Sequence, residues 1–273
     1  LNPANLDYAR SLGRAFGGAL LFAFPLFMTM EMWWLGGFSI ERGRLLLFVV
    51  ASLPMLLGLS YFAGFEKTAH WIDEALDALA AYGVGFVLSA VVLALLGAVM
   101  AGRSPSADLG CVALCAVPAA IGALLATKQF SGAAGAPDAE RRACGYLGAL
   151  FLMSVGAVFL AFNVAPTEEV TLISYMMGPW RTLALALASI ALLHVVVFEI
   201  GFPGQDRRRD SASFSRAFFF YTLPGYAVAL LISAYCLWTF GRLDGVDVHE
   251  QLTMVAVLSF PAALGAATAR LVI

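Results

Sequence analysis

Apolar residues run along this chain in blocks separated by short polar stretches. A helix needs about 20 apolar residues to cross a bilayer. Eight blocks reach that length, at about 15–38, 44–65, 76–100, 109–127, 144–164, 181–202, 217–240 and 251–272. The polar stretches Glu66–Glu74, Asp138–Arg142 and Gln205–Asp210 are too short for a soluble domain. The pattern predicts an all-α polytopic membrane protein with eight transmembrane helices.

The fifth block is interrupted. LAFNVAPTEEV, residues 160–170, places Asn163, Pro166, Thr167, Glu168 and Glu169 between apolar runs. The first block carries a similar interruption. Aligning LFAFPLFMTME with FLAFNVAPTEE matches Ala23 with Ala161, Phe24 with Phe162, Thr29 with Thr167 and Glu31 with Glu169. Spans 2 and 6 match Arg44 with Arg181 and Gly64-Phe65 with Gly201-Phe202. Spans 3 and 7 share Gly-Arg at Gly102-Arg103 and Gly241-Arg242, and spans 4 and 8 share PAAIGA from Pro118 and PAALGA from Pro261. The four offsets, 138, 137, 139 and 143 residues, are nearly constant and in register with the spans. The chain therefore reads as a duplication, with a first four-helix repeat over 1–135 and a second over 136–273 in one integrated membrane domain. Four spans per copy make the repeats parallel, meeting around a pseudo-twofold axis along the membrane normal.

Composition agrees with the span pattern. Hydrophobic residues are 61% and charged residues 12%, where a soluble domain carries about 25% charged. A net charge of -2 without a basic cluster gives no footing for nucleic acid. Lys and Arg set the orientation. Arg10, Arg14, Lys67, Lys128, Arg141, Arg142, Arg207, Arg208, Arg209, Arg216 and Arg270 fall on one side; Arg42, Arg44, Arg103, Arg181 and Arg242 fall on the other. That excess places both termini in the cytoplasm. Trp33, Trp34, Trp180 and Trp238 then form an outer aromatic belt. The first apolar block is long enough to span and lacks a cleavage pattern, so no cleaved signal is expected. Leu1 rather than Met opens the chain, which leaves room for a start upstream.

The candidate chemistry follows the interruptions. Proline removes a backbone donor and frees carbonyls one turn earlier. In a membrane those carbonyls must be satisfied by protein, water or an ion. Glu31 lies about 24 Å of rise beyond Arg14 at about 1.5 Å per residue, which puts both Glu motifs just below the outer interface. Two readings compete. In one, Glu31 pairs with Arg44 and Glu169 with Arg181, pinning helix hairpins. In the other, Glu31, Glu169 and Glu168 bind a cation or protons, helped by Thr29, Thr167 and Asn163, with Arg44 and Arg181 as electrostatic partners. Intramembrane ionisable residues are functional candidates by default. Thr167 is also placed to cap a short helix starting at Glu168. The second copy is richer in polar residues, adding Asn163, Glu168, His194 and Glu199. His194 and Glu199 extend the acids into a candidate proton relay.

Other features read more plainly. Cys111, Cys115, Cys144 and Cys236 are scattered thiols packed between helices. Asp244, Asp247, His249 and Glu250 form an acidic solvated loop. No nucleophile elbow, phosphate loop or zinc spacing occurs, so neither an enzymatic reaction nor a cofactor has a motif, and no metal site is assigned. LFAFPLFMTMEMWW, LAFNVAPTEEV and HVVVFEIGF together resemble an uncharacterised bacterial family of integral membrane proteins, a domain of unknown function. That resemblance implies an inner-membrane location and no activity. The residues favour a small ion transporter or channel, cation- or proton-linked, in contact with membrane lipids. A non-catalytic accessory subunit of a larger membrane complex, or a homo-oligomer, is the alternative, because small residues such as Gly17-Gly18, Gly145 with Gly148, and Ala119 with Ala123 suit close helix contacts.

Overall fold

The computed structural model describes residues 3–63, 71–99, 104–131, 146–200 and 211–272. The chain divides into two compact units, Leu1–Arg141 and Arg142–Ile273. The expected repeat boundary between 135 and 136 lies outside the described residues. The described residues are helical, without strands.

Unit 1 contains α1 (Pro3–Phe27), α2 (Met30–Trp34), a π-helical turn (Leu35–Ser39), α3 (Arg42–Ala63), α4 (Trp71–Leu95) and α5 (Pro105–Ser131). Its last helix is its centre. The span Pro105–Ala126 is almost wholly buried, wrapped by α1, α3, α4 and the π-helical turn. The sequence explains this: Cys111 to Ala126 is mostly Ala, Gly, Cys and Val. Lipid tails are as apolar as Leu, so helices associate in membranes by close packing of small residues. At the crossing of α1 with α5, a methyl added to Gly18 would overlap the Gly122 backbone, and one added to Gly122 would overlap Gly18. Gly36 and Gly110 make a second such approach between the π-helical turn and α5.

Unit 2 contains α6 (Tyr146–Val164), α7 (Glu169–Met176), α8 (Pro179–Ile200), α9 (Ser211–Ala217), a π-helical turn (Phe218–Thr222), α10 (Leu223–Thr239) and α11 (Val248–Val272). Its last helix is again its centre, packed by α6, α7, α8 and α10. The backbones of Gly156 and Gly265 meet where α6 crosses α11, with no room for a methyl on either. Ala157, Ala161, Ala262 and Ala266 are fully buried along the two helices.

Seven helices among the described residues are long and apolar enough to cross a membrane, and α1 with its bent continuation makes an eighth candidate. Outward-facing Leu21, Leu46, Leu95, Leu147, Leu187 and Leu231 are largely exposed, as lipid-facing positions require. One boundary differs from the sequence reading. Glu74 was expected in the loop Glu66–Glu74, but it belongs to α4 and is buried. Ser60 of α3 donates a 2.5 Å hydrogen bond to its Oε2. Asp73, Glu74 and Asp77 fall near the N-terminal end of the described part of α4, where acids complement the helix dipole.

Candidate functional site

Both first spans break where the sequence places proline, threonine and glutamate. In unit 1, α1 stops at Phe27 and the chain turns by 90° into Met30–Ser39. The freed carbonyls are then met one by one. Thr29 Oγ1 donates to Pro25 O at 2.7 Å. The Trp33 indole donates to Phe27 O at 2.9 Å. Arg42 Nη1 and Nη2 reach Gly36 O and Gly37 O at 3.0 and 2.9 Å, closing the π-helical turn. The Cys111 thiol donates to Trp33 O at 3.2 Å.

In unit 2, α6 ends at Val164, two residues before Pro166, as expected because the residue before proline avoids helical dihedrals. Asn163 Nδ2 donates to Phe159 O at 2.7 Å, and Thr167 Oγ1 to Val164 O at 2.8 Å. Arg242, just past α10, spans the break: Nη2 donates to Pro166 O, and Nη1 lies 3.4 Å from Glu168 Oε1. Phe162 and Phe240 stack beside this clamp with ring centroids 5.0 Å apart.

These bonds revise several expectations. Thr167 does not cap α7, whose N-cap residue is Glu168 without a side-chain capping bond; its hydroxyl turns back to the helix it leaves. Thr29 does the same in unit 1. The pairs Glu31 with Arg44 and Glu169 with Arg181 are not ion pairs among the described residues. Arg44 Nε pairs with Glu41 at 3.5 Å, three residues away on the same strip of chain, and Glu168 pairs with Arg242. Arg181 is exposed in the first turn of α8. The geometric reason is the bend: after each break the chain runs on as a new short helix, which carries the acid away from the start of the next span.

Glu31 is half-buried, and Glu168 and Glu169 are exposed. The carboxyl of Glu169 is held below its ordinary value, chiefly by its own backbone amide and then by the Thr167 hydroxyl. The slight burial opposes this weakly, and the Arg242 charge adds a smaller lowering. Glu169 is therefore an ionised carboxylate at neutral pH.

His194 is buried on α8, with Nδ1 2.8 Å from Thr222 Oγ1. The side chain of Glu199, the expected inner end of the relay, lies outside the described residues, as does Gly145. In the loop before α11, Asp247 Oδ2 accepts the His249 amide at 3.0 Å, and Gln251 Nε2 caps Leu243 O and Val246 O. Cys111, Cys115 and Cys236 are buried, and none of the three is in a disulfide.

Sequence reasoning overlooked Arg242, Arg42, Trp33 and Thr222. A signal for Arg242 was present, since Gly241-Arg242 repeats Gly102-Arg103; Arg103 lies outside the described residues.

Apolar spans, lipid-facing leucines and breaks whose carbonyls are met from within define a polytopic α-helical integral membrane protein. Residues 11–273 match the family described as "Putative integral membrane protein (DUF2391)", and the chain belongs to that family. Neither a curated protein nor a solved structure matches it.

Proposed function

We propose that this protein is a small ion transporter or channel of the bacterial inner membrane, cation- or proton-linked, with both termini cytoplasmic. The observation that carries the reading is the carboxylate left over at each break. Asn163, Thr167 and Arg242 meet backbone carbonyls in unit 2; Thr29, Trp33 and Arg42 do so in unit 1. Glu31 and Glu169 take no part in that capping, and neither forms an ion pair among the described residues. Both acids sit in the first turn of a short helix, where they also complement the helix dipole. An acidic side chain at the edge of a span, outside the ion pairs of the break, suits capture of a cation or proton. In this reading Glu31 and Glu169 receive the ion, and Glu168 is tuned by Arg242. Thr29, Thr167 and Asn163 hold the breaks, and Arg44 and Arg181 shape the field.

A 4+4 duplication belongs to the same proposal. Gly18 and Gly156 differ by 138 residues, and Gly122 and Gly265 by 143. Those are the offsets that align spans 1 with 5 and 4 with 8, and in each unit the pair forms the closest crossing of the first and last spans. Helix starts at Arg42 and Pro179, and at Pro105 and Val248, keep offsets of 137 and 143. These coincidences support two copies of one fold.

The test is ion and proton flux in proteoliposomes. Glu31→Gln with Glu169→Gln is expected to reduce flux at least tenfold, with each single variant intermediate. Unchanged flux in the double variant overturns the assignment. Absence of flux from the intact protein, with stable co-purification of one membrane complex in mild detergent, favours the accessory subunit. Of the small residues that motivated that alternative, Gly18, Gly148, Ala119 and Ala123 are buried within their own units, while Gly17 is exposed with nothing near it.

A further inference from the structure

At the end of unit 2 away from the break, one ring nitrogen has no hydrogen-bond partner among the described residues. His194 is 7% exposed. In the tautomer with its proton on Nδ1, the imidazole donates the 2.8 Å contact to Thr222 Oγ1, and the Thr222 hydroxyl turns to Ala217 O, 3.4 Å away. Nε2 is then a bare acceptor, buried and without a hydrogen-bond partner among the described residues. A neutral imidazole has one donor and one acceptor, and here the second is unspent. Buried polar atoms left unmet are uncommon and point to a missing water, ion or ligand.

The setting narrows the choice. Thr222 is the last residue of the π-helical turn Phe218–Thr222, and such turns are concentrated at functional sites. The imidazole is ringed by aromatics, with centroid distances of 4.3 Å to Phe214, 5.3 Å to Phe218 and 6.1 Å to Phe198. Phe214 meets it edge to face and is itself 48% exposed. Phe219 and Phe220 beside it face outward. A metal ion would need further ligands, and no group of three His, Cys, Asp or Glu occurs among the described residues.

We propose that His194 binds a lipid-soluble phenolic or hydroquinone headgroup, whose hydroxyl donates to Nε2 and whose ring packs among Phe198, Phe214 and Phe218. Selectivity follows from the tautomer. A hydroquinone brings the donor that Nε2 lacks, whereas the oxidised quinone carries only acceptors. The inference concerns binding alone and is independent of ion movement.

The experiment is calorimetric titration of the full chain in lipid nanodiscs. Probes are a decyl-substituted benzohydroquinone kept reduced, the corresponding quinone, and decanol. Saturable hydroquinone binding is expected, at least tenfold tighter than that of quinone or decanol. His194→Phe should abolish it, and Thr222→Val should weaken it severalfold. Equal affinity for quinone, equal binding by folded His194→Phe, or no saturable hydroquinone binding by the intact protein overturns the proposal. Decanol binding as tight as hydroquinone overturns the aromatic assignment. If His194→Phe fails to fold, the comparison of reduced with oxidised probe on the unaltered protein still decides the matter.

Discussion

Arg242 donates from Nη2 to the carbonyl oxygen of Pro166, joining two points 76 residues apart in sequence. The same guanidinium meets Glu168. Its side chain is 17% exposed and that of Glu168 79%, so the two contacts differ in weight. The carbonyl contact is sheltered and charge-assisted, and removing it costs about 2 kcal/mol. The ion pair is solvated and contributes well under about 1 kcal/mol. Arg242→Gln is therefore expected to lower the thermal midpoint in detergent by several degrees, while Glu168→Gln leaves it nearly unchanged. Equal effects would show that the ion pair, not the carbonyl, matters. Arg242→Lys should recover only part of the loss, since an ammonium cannot fork between two acceptors.

The glycine crossings predict a contrast within one helix. Gly18→Ala presses a methyl into the Gly122 backbone, whereas Gly17 has nothing within 4 Å of the added carbon. Overpacking of this kind costs about 1–3 kcal/mol. Alanine at an open helical position is favourable by about 0.5–1 kcal/mol. Unfolding in mixed micelles should show Gly18→Ala and Gly156→Ala destabilised and Gly17→Ala neutral or improved.

The Glu169 carboxyl should titrate below its ordinary value of 4.5. A lowered folded value means that its contribution to stability is complete above about pH 4.5 and fades as pH falls through the folded value. Thr167→Val removes the second-largest cause of the lowering and should move the titration upward. Arg242→Gln should move it upward by less. Carboxyl carbon shifts in selectively labelled protein would check both the direction and the order.

Ser60→Ala should destabilise the contact of α3 with α4, because the Glu74 carboxyl is buried and loses a short hydrogen bond. The loss is about 2 kcal/mol. Ser60→Thr keeps the hydroxyl and should retain most of the stability. A thermal midpoint for Ser60→Ala equal to that of the parent would sink the idea.

The spans were readable because a bilayer demands length and apolarity, and both are properties of a contiguous stretch. The breaks were readable for a similar reason: Pro166 stands directly before Thr167 and Pro25 four residues before Thr29, and helix interruption is local chemistry. Partners across the fold were not. Thr222 lies 28 residues from His194, and Arg242 lies 74 from Glu168; no periodicity encodes such distances. The expected pairs, Glu31 with Arg44 and Glu169 with Arg181, assumed that a short connection brings its two ends together. In unit 1 a 90° bend, and in unit 2 the short helix α7, undo that assumption. Glu74 was misplaced because a carboxylate reads as loop until a buried serine on the previous helix is known to meet it. The central position of α5 and α11 was written in their alanine and glycine content, which composition alone had attributed equally to contacts with partners.

The bend in unit 1 also gives the protein a foothold at the membrane face. Met30–Ser39 runs at 90° to α1, and Met30, Trp34 and Phe38 on it are exposed. A stretch lying across the direction of a span, with an outward tryptophan, suits the interfacial layer, where tryptophan is enriched.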